Sequence, residues 1–236
     1  LRLKGIKNVN NPIIICNEEH RFIVGDQMRK IDIDPLAIIL EPSRRNTAPA
    51  ITIAAMKVLD DYKEKNIDPT LLILSSDHYI EDNHNFTESI QNSVKFADAG
   101  NLLIFGIIPT YPATGYGYIK SENKLLKNTF LPNKVIKFIE KPDIQNAKLF
   151  FKNEKYSWNS GIFVFKASSI LKELSKFSPE IVKHCRRCLN ASKLDLDFLR
   201  LDKTSFSKCS DISIDIAIFE KTKKAYVFPL SCGWND

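Results

Sequence analysis

The stretch Glu41-Pro-Ser-Arg-Arg-Asn-Thr-Ala-Pro-Ala50 decides how the chain is read. It follows the apolar run Ala37-Ile-Ile-Leu40, which has the length of a short buried strand. It precedes an alanine-rich amphipathic segment over about residues 48–65. A strand that empties into a polar loop at a helix N-terminus is where open α/β sheets bind ligands. The loop carries a carboxylate (Glu41), two guanidinium groups (Arg44, Arg45), an amide (Asn46) and a hydroxyl (Thr47). That inventory can read the edge of a nucleobase and hold a ribose or phosphate. A purely structural account is also available: Thr47 caps the helix, Pro49 sits in its first turn and the arginines are solvated. The two accounts are compatible, because capping uses one hydroxyl and leaves the other groups free.

Working outward, apolar runs and helical patterns alternate. Residues 12–16 read as a strand, and Asn17 caps a helix over 18–31. The strand 37–41 and the helix after the loop come next. Residues 71–75 form a third strand, 86–99 a helix closed by Gly100, and 102–107 a fourth strand. This βαβαβαβ rhythm predicts a Rossmann-like α/β fold: a mixed, mostly parallel sheet flanked by helices, with right-handed crossovers. In the second half, 117–121 and 134–140 read as strands joined by a polar turn, and 160–166 as another strand. Helices are expected to dominate from 167 to 201, before a last strand at 226–230. No repeat, low-complexity tract or linker interrupts the pattern, so residues 1–236 are expected to form one domain.

Composition narrows the function. Of the 236 residues 44% are hydrophobic and 26% charged, an ordinary globular balance with material for one sizeable core. No apolar run reaches the length of a membrane span. The net charge of +6 is spread along the chain without the clustered basic, aromatic-interleaved face of a nucleic-acid binder. A diffuse basic balance fits an anionic small-molecule substrate equally well, and by itself decides nothing. The five cysteines are odd in number and scattered, as expected of reduced thiols in a cytoplasm. Cys185 and Cys188 form a C-x-x-C beside His184, but a zinc site would need a second ligand pair at useful spacing.

Further motifs carry chemistry. Ser75-Ser-Asp-His78 follows the third strand at its carboxyl end, where a carboxylate commonly holds a divalent cation. Asp77 capping the next turn is the structural alternative. Gly233-Trp-Asn-Asp236 puts a second carboxylate past the last strand. If the two strands are parallel neighbours, Asp77 and Asp236 can flank one Mg²⁺. In Pro112-Ala-Thr-Gly-Tyr-Gly-Tyr-Ile119, Gly115 serves a turn. Gly117, opening a strand, suggests close approach of a ligand to the backbone. Phe138-Ile-Glu-Lys-Pro142 ends a strand with Glu140 and Lys141 side by side, a hydroxyl acceptor beside a phosphate-binding cation. Strand alternation aims them to opposite faces unless Pro142 bends the end. Trp158-Asn-Ser-Gly161 adds an amide, Asn159, next to a tryptophan read as packing.

Taken in order, R-N-T-A-P, S-D-H, T-G-Y-G-Y-I, F-I-E-K-P, W-N-S-G and G-W-x-D resemble the sugar-nucleotide pyrophosphorylases. The loop E-P-x-x-R-N-T-A-P-A-I narrows the resemblance to bacterial mannose-1-phosphate guanylyltransferases, some of them fused to a mannose-6-phosphate isomerase domain. Asn17-Glu-Glu-His-Arg-Phe22 fits the same branch. The resemblance implies a nucleotide-diphospho-sugar transferase fold and transfer of GMP from GTP to mannose-1-phosphate. It implies that Asp77 and Asp236 hold Mg²⁺. Glu41, Arg45, Asn46 and Thr47 would bind the nucleotide; Gly117, Glu140 and Asn159 would contact mannose, and Lys141 its phosphate. The reaction would be in-line attack by a sugar-phosphate oxygen on the α-phosphorus, with release of pyrophosphate and no protein nucleophile.

The family opens with a strand and a loop of the form G-G-x-G-T-R-L-x-P, and no such segment occurs in these 236 residues. The resemblance therefore implies a domain truncated at both ends, short of the family's oligomerisation segment. Its activity is expected to be impaired unless the phosphate loop is restored. The alternatives are another sugar-phosphate nucleotidyltransferase, or a non-catalytic remnant that binds a sugar nucleotide or a partner. A Rossmann dehydrogenase is disfavoured, since no G-x-G-x-x-G is present.

Overall fold

The computed structural model describes residues 2–236. β1 (Ile13–Asn17) ends where the Asn17 side chain accepts from the Glu19 N–H, turning the chain through a 3₁₀ turn into α1 (Arg21–Lys30). β2 (Ala37–Glu41) leads to α2 (Thr47–Asp61). The cap of α2 is Asn46, whose side-chain oxygen accepts from the Thr47 N–H, so the expectation that Thr47 caps this helix is corrected. β3 (Thr70–Ile73) and the two-residue β4 (Tyr79–Ile80) precede α3 (Asn83–Asp98), which Asp82 caps and Gly100 closes at φ +89°. β5 (Leu102–Ile107), β6 (Tyr118–Ser121) and β7 (Asn133–Ile139) follow, then α4 (Ile144–Phe151), β8 (Tyr156–Lys166), α5 (Ala167–Phe177) and α6 (Pro179–Asn190).

β9 (Lys193–Asp195) and β10 (Phe198–Arg200) form a hairpin inside the stretch expected to be helical. Two local features specify it. Leu196 adopts φ +53° in the turn, and Arg200 reaches across to Asp195 at 2.7 Å. Phe198 is buried beside Ile38 and Leu40. The chain ends with α7 (Lys203–Phe206), β11 (Ala225–Pro229) and β12 (Trp234–Asn235).

Contacts group the residues into two compact units. One comprises residues 8–67 and 171–217. Its sheet has the order β1-β2-β10-β9, with β1 and β10 both parallel to β2 and β9 antiparallel to β10. Ile38, Leu40 and Phe198 pack with Cys16 and Val24, and Arg200 pairs with Glu18 as well as Asp195.

The other unit contains residues 2–7, 68–170 and 218–236. Its strands run in the order β3-β8-β5-β11-β7-β6, and β6 pairs back onto β8. Only β5 and β11 are parallel in this sheet. The fold is a mixed α/β fold as expected, but with a larger antiparallel share than the strand–helix alternation suggests. The reason is β8, which inserts antiparallel between β3 and β5. Phe86, Ile90, Leu103, Phe105, Ile162, Val164 and Phe228 fill the core between α3 and this sheet. Gly106 marks an irregularity in the β5–β8 register. A side chain there would come within 2.5 Å of Val227 and 2.6 Å of Ser157.

Phe105 is fully buried and its ring centroid lies 5.4 Å from that of Phe228. Phe105→Ala is expected to lower unfolding stability by about 3–5 kcal/mol. Urea unfolding at constant slope checks this; a loss below about 1 kcal/mol would show that the site collapses around the cavity.

Candidate functional site

The polar loop after β2 is built by short-range chemistry. Asn46 sits at φ +62°, a conformation asparagine tolerates because its amide can satisfy the local backbone. Thr47 Oγ1 accepts from the Ile214 N–H at 2.9 Å, and the Ala48 N–H donates to the Ile212 carbonyl at 3.1 Å. Arg45 donates through Nη2 to the Ser207 carbonyl at 2.8 Å. The loop is therefore stitched to residues 207–214. Two of its polar atoms are buried with no partner: Glu41 Oε1 and Arg45 Nε. Burial pushes the Glu41 carboxyl up to about 7, because the ionised form lacks water. An unsatisfied buried acceptor of this kind is suited to a ligand that brings a donor. Arg44 is exposed.

Beneath this loop lie thiols. Cys185 Sγ donates to the Pro49 carbonyl at 3.7 Å and lies 3.8 Å from Cys209 Sγ, while Cys188 donates to the Asp202 carbonyl at 3.4 Å. The five cysteines are free, and the C-x-x-C is part of a packed helix face.

In the other unit, Asp77, His78 and Asp236 place their ligand atoms within 4.8 Å of one another, the one such grouping among the described residues. β3 and β11 are not the parallel neighbours that would bring the two carboxylates together: β8 and β5 separate them. The carboxylates are brought together by the antiparallel ribbon of β4 and β12, which pairs Ile80 with Trp234 and Tyr79 with Asn235. The ribbon continues through the Glu81 and Asp82 N–H groups, both donating to the Cys232 carbonyl. Arg2 braces the loop before it, donating to the carbonyls of Ser75 (2.6 Å) and His78 (2.9 Å). Both carboxylates are solvent-accessible, so the pair offers hard oxygen ligands at an open position, which fits Mg²⁺.

A second cluster in the same unit gathers Gly117, Glu140, Lys141 and Asn159. The Asn159 N–H donates to the Gly117 carbonyl at 2.8 Å, and Asn159 Oδ1 accepts from Gly161. A Cβ on Gly117 would stand 2.8 Å from Glu140 Oε2 and 3.2 Å from the Phe138 ring, so a side chain there would displace that carboxylate from its present position. Lys141 adopts φ +36° ahead of Pro142. This turns its ammonium back to 3.9 Å from Glu140 Oε1 instead of to the opposite face. The strand alternation is thus broken here, and both charged groups lie on one side. Burial raises the Glu140 pKa, opposed by Lys141 and reinforced by Glu220. Trp158 is buried as expected, its ring meeting those of Tyr111 and Tyr116 at 4.9 and 5.2 Å. Tyr116 in turn meets Trp234 at 5.3 Å, and Trp234 meets His78 at 5.4 Å.

Sequence reasoning missed Arg2, Tyr116, His78 and Trp234 as contributors. The last three stand inside motifs already singled out, T-G-Y-G-Y-I, S-D-H and G-W-x-D, and so were within reach. Arg2 carried no local signal, since its partners are more than seventy residues away.

Glu41 generates a pH prediction. Below about pH 4.5 the carboxyl is protonated in both native and unfolded chains. Between 4.5 and 7 the native chain retains a proton that the unfolded chain has released, so stability falls as pH rises. Above 7 the penalty is complete. Glu41→Gln should therefore be more stable than the parent at pH 8, with the gap closing by pH 5, as read by urea unfolding. An equal gap at both values would mean that Glu41 is not desolvated in the native state.

A mannose-1-phosphate guanylyltransferase of Salmonella typhimurium is 46% identical over 229 residues, covering 97% of this chain and 47% of the relative. One of Escherichia coli K12 is 41% identical over 236 residues, covering 100% of this chain and 49% of the relative. The chain thus spans about half the length of these curated relatives. A crystal structure described as mannose-6-phosphate isomerase from Helicobacter pylori superposes with a TM-score of 0.86 at 31% identity, over 100% of this chain and 88% of that one. The nucleotidyl transferase family model matches residues 2–236, and the chain belongs to that family.

Proposed function

We propose that this chain supplies the sugar-nucleotide chemistry of a mannose-1-phosphate guanylyltransferase, moving GMP from GTP to mannose-1-phosphate with release of pyrophosphate. The observation that carries the sugar-phosphate half is the Glu140–Lys141 pair, held on one side with Gly117 and Asn159. It sets an acceptor for ring hydroxyls beside a mobile cation for a phosphate. The names of the curated relatives support the same substrates.

The residues divide the work. Glu41 accepts from the donor edge of guanine, a role suited to a carboxylate oxygen that is buried without a partner. Arg45, Asn46 and Thr47 present the remaining polar groups of that loop to the nucleotide. Glu140, the backbone of Gly117 and Asn159 hold the sugar, and Lys141 neutralises its phosphate. Asp77 and Asp236 would hold Mg²⁺, which supplies charge neutralisation of the phosphates. Attack by the sugar-phosphate oxygen on the α-phosphorus is intermolecular, so the protein's contribution is orientation and electrostatics, with no covalent intermediate. We place the reaction in the cytoplasm, in keeping with the free cysteines. Among the described residues no helix is long and apolar enough to cross a membrane.

The test is thermal unfolding with Mg²⁺ and either GDP-mannose or UDP-glucose. GDP-mannose at a hundredfold excess over its dissociation constant should stabilise by about 2.7 kcal/mol, an upward shift of about 5–10 °C. UDP-glucose should shift it little. Glu41→Gln should erode the preference for the guanine nucleotide, and Glu140→Gln the preference for mannose. A shift equal for both ligands would favour a nucleotidyltransferase of other specificity. A cooperative transition that neither ligand moves would remove the proposal.

A further inference from the structure

We infer that His78 is a positioning residue for the carboxylate pair and not one of its ligands: Trp234 holds it in a single tautomer, and its remaining N–H is spent on orienting Asp236. This rests on the reading of Asp77 and Asp236 as the cation-binding pair.

An indole N–H can only donate, and Trp234 Nε1 lies 3.3 Å from His78 Nδ1. Nδ1 must therefore present its lone pair to the indole. In a neutral imidazole the proton then sits on Nε2, which lies 3.2 Å from Asp236 Oδ1. Both ring nitrogens are committed, one as acceptor and one as donor. Neither keeps a lone pair for a metal ion, although the ring stands within 4.8 Å of both carboxylates. A hard divalent cation takes oxygen ligands in any case.

The ring is also fixed in place. The Trp234 ring meets it edge-on, with centroids 5.4 Å apart and planes at 80°. On another side stands Gly161 at φ +68°, where an added Cβ would come 3.3 Å from His78 Cε1. Arg2 holds the residue's carbonyl at 2.9 Å. The side chain is only 6% exposed, whereas that of Asp236 is 49% exposed. A buried, immobile donor thus anchors one oxygen of a half-exposed carboxylate and leaves the other oxygen directed by that anchor. A carboxylate in such a position otherwise rotates freely, and orienting it in advance removes an entropic cost from cation binding.

A long-range ¹H–¹⁵N correlation spectrum of the ¹⁵N-labelled chain tests this without any metal. The peaks of His78 are those missing in His78→Gln. The expected pattern is an unprotonated Nδ1 with a protonated Nε2; the reverse tautomer overturns the inference. Mn²⁺ binding, followed by electron spin resonance, supplies the second readout. His78→Phe should weaken Mn²⁺ binding about 10–100-fold. His78→Gln, whose amide can accept from Trp234 and donate to Asp236, should recover most of the loss. Pulsed measurements on the parent should show no directly coordinated nitrogen; a strong ¹⁴N coupling that disappears in His78→Phe would make His78 a ligand. Mn²⁺ binding that is unchanged in the Asp77→Asn, Asp236→Asn double variant would instead overturn the underlying reading of the carboxylates, and the inference with it.

Discussion

The strand Tyr156–Lys166 is the constraint on which the larger unit depends. At eleven residues it is long enough to hydrogen-bond with three different neighbours along its length. Its later half runs between the strands at Thr70–Ile73 and Leu102–Ile107, and its first residues pair with Tyr118–Ser121. That change of partner closes the order of strands into a ring. It also occurs at Trp158-Asn-Ser-Gly161, where the register shifts and the backbone turns to a positive φ. Ser160 and Gly161, between the two registers, are therefore left out of the ladder with Leu102–Ile107, while Asn159 stays paired with Gly106. Asn159 reaches the Gly117 carbonyl, Ser160 donates to the Phe105 carbonyl at 2.8 Å, and Gly161 makes room for His78. One irregularity in one strand serves both the cluster of Gly117, Glu140 and Asn159 and the carboxylate cluster.

Most of the fold was legible because its signals are local. Strand and helix alternation through residues 12–107 is written in apolar periodicity and in cap residues such as Asn17 and Asp82. The hairpin at 193–200 was not legible. Its strands are three residues long, and its place is decided by pairing with Ala37–Glu41, some 160 residues earlier. The antiparallel insertion of the eleven-residue strand was hidden for the same reason: sequence pattern gives the existence of a strand, not its neighbour.

The site shows the same division. Types of residue were readable from the motifs, and so was the pairing of Glu140 with Lys141 at a strand end that Pro142 could bend. The backbone value that makes this work, φ +36° at a lysine, was not, because lysine has no preference for it. Asp77 and Asp236 do come together, but through a two-residue ribbon and not through the strand adjacency that the motifs suggest. The support residues were least visible of all. Arg2 and Trp234 act on groups far away in the chain, and their effect is expressed only through which hydrogen-bonding atoms are left over.

The ribbon that carries Asp236 has one further property. It is two residue pairs long, extended by the Glu81 and Asp82 contacts to Cys232, and at its turn Gly233 leaves space that a side chain would contest with Glu81, 2.5 Å away. So short a ladder opens at far lower free energy than the six-stranded sheet beside it. Opening it would move one carboxylate away from the other and withdraw Ile80 and Trp234 from the core cluster they pack against. On the proposed reading of the pair, the affinity for a cation between the two carboxylates would be scaled by the fraction of molecules in which the ribbon is closed. Bound charge and ribbon become a single latch, each keeping the other shut.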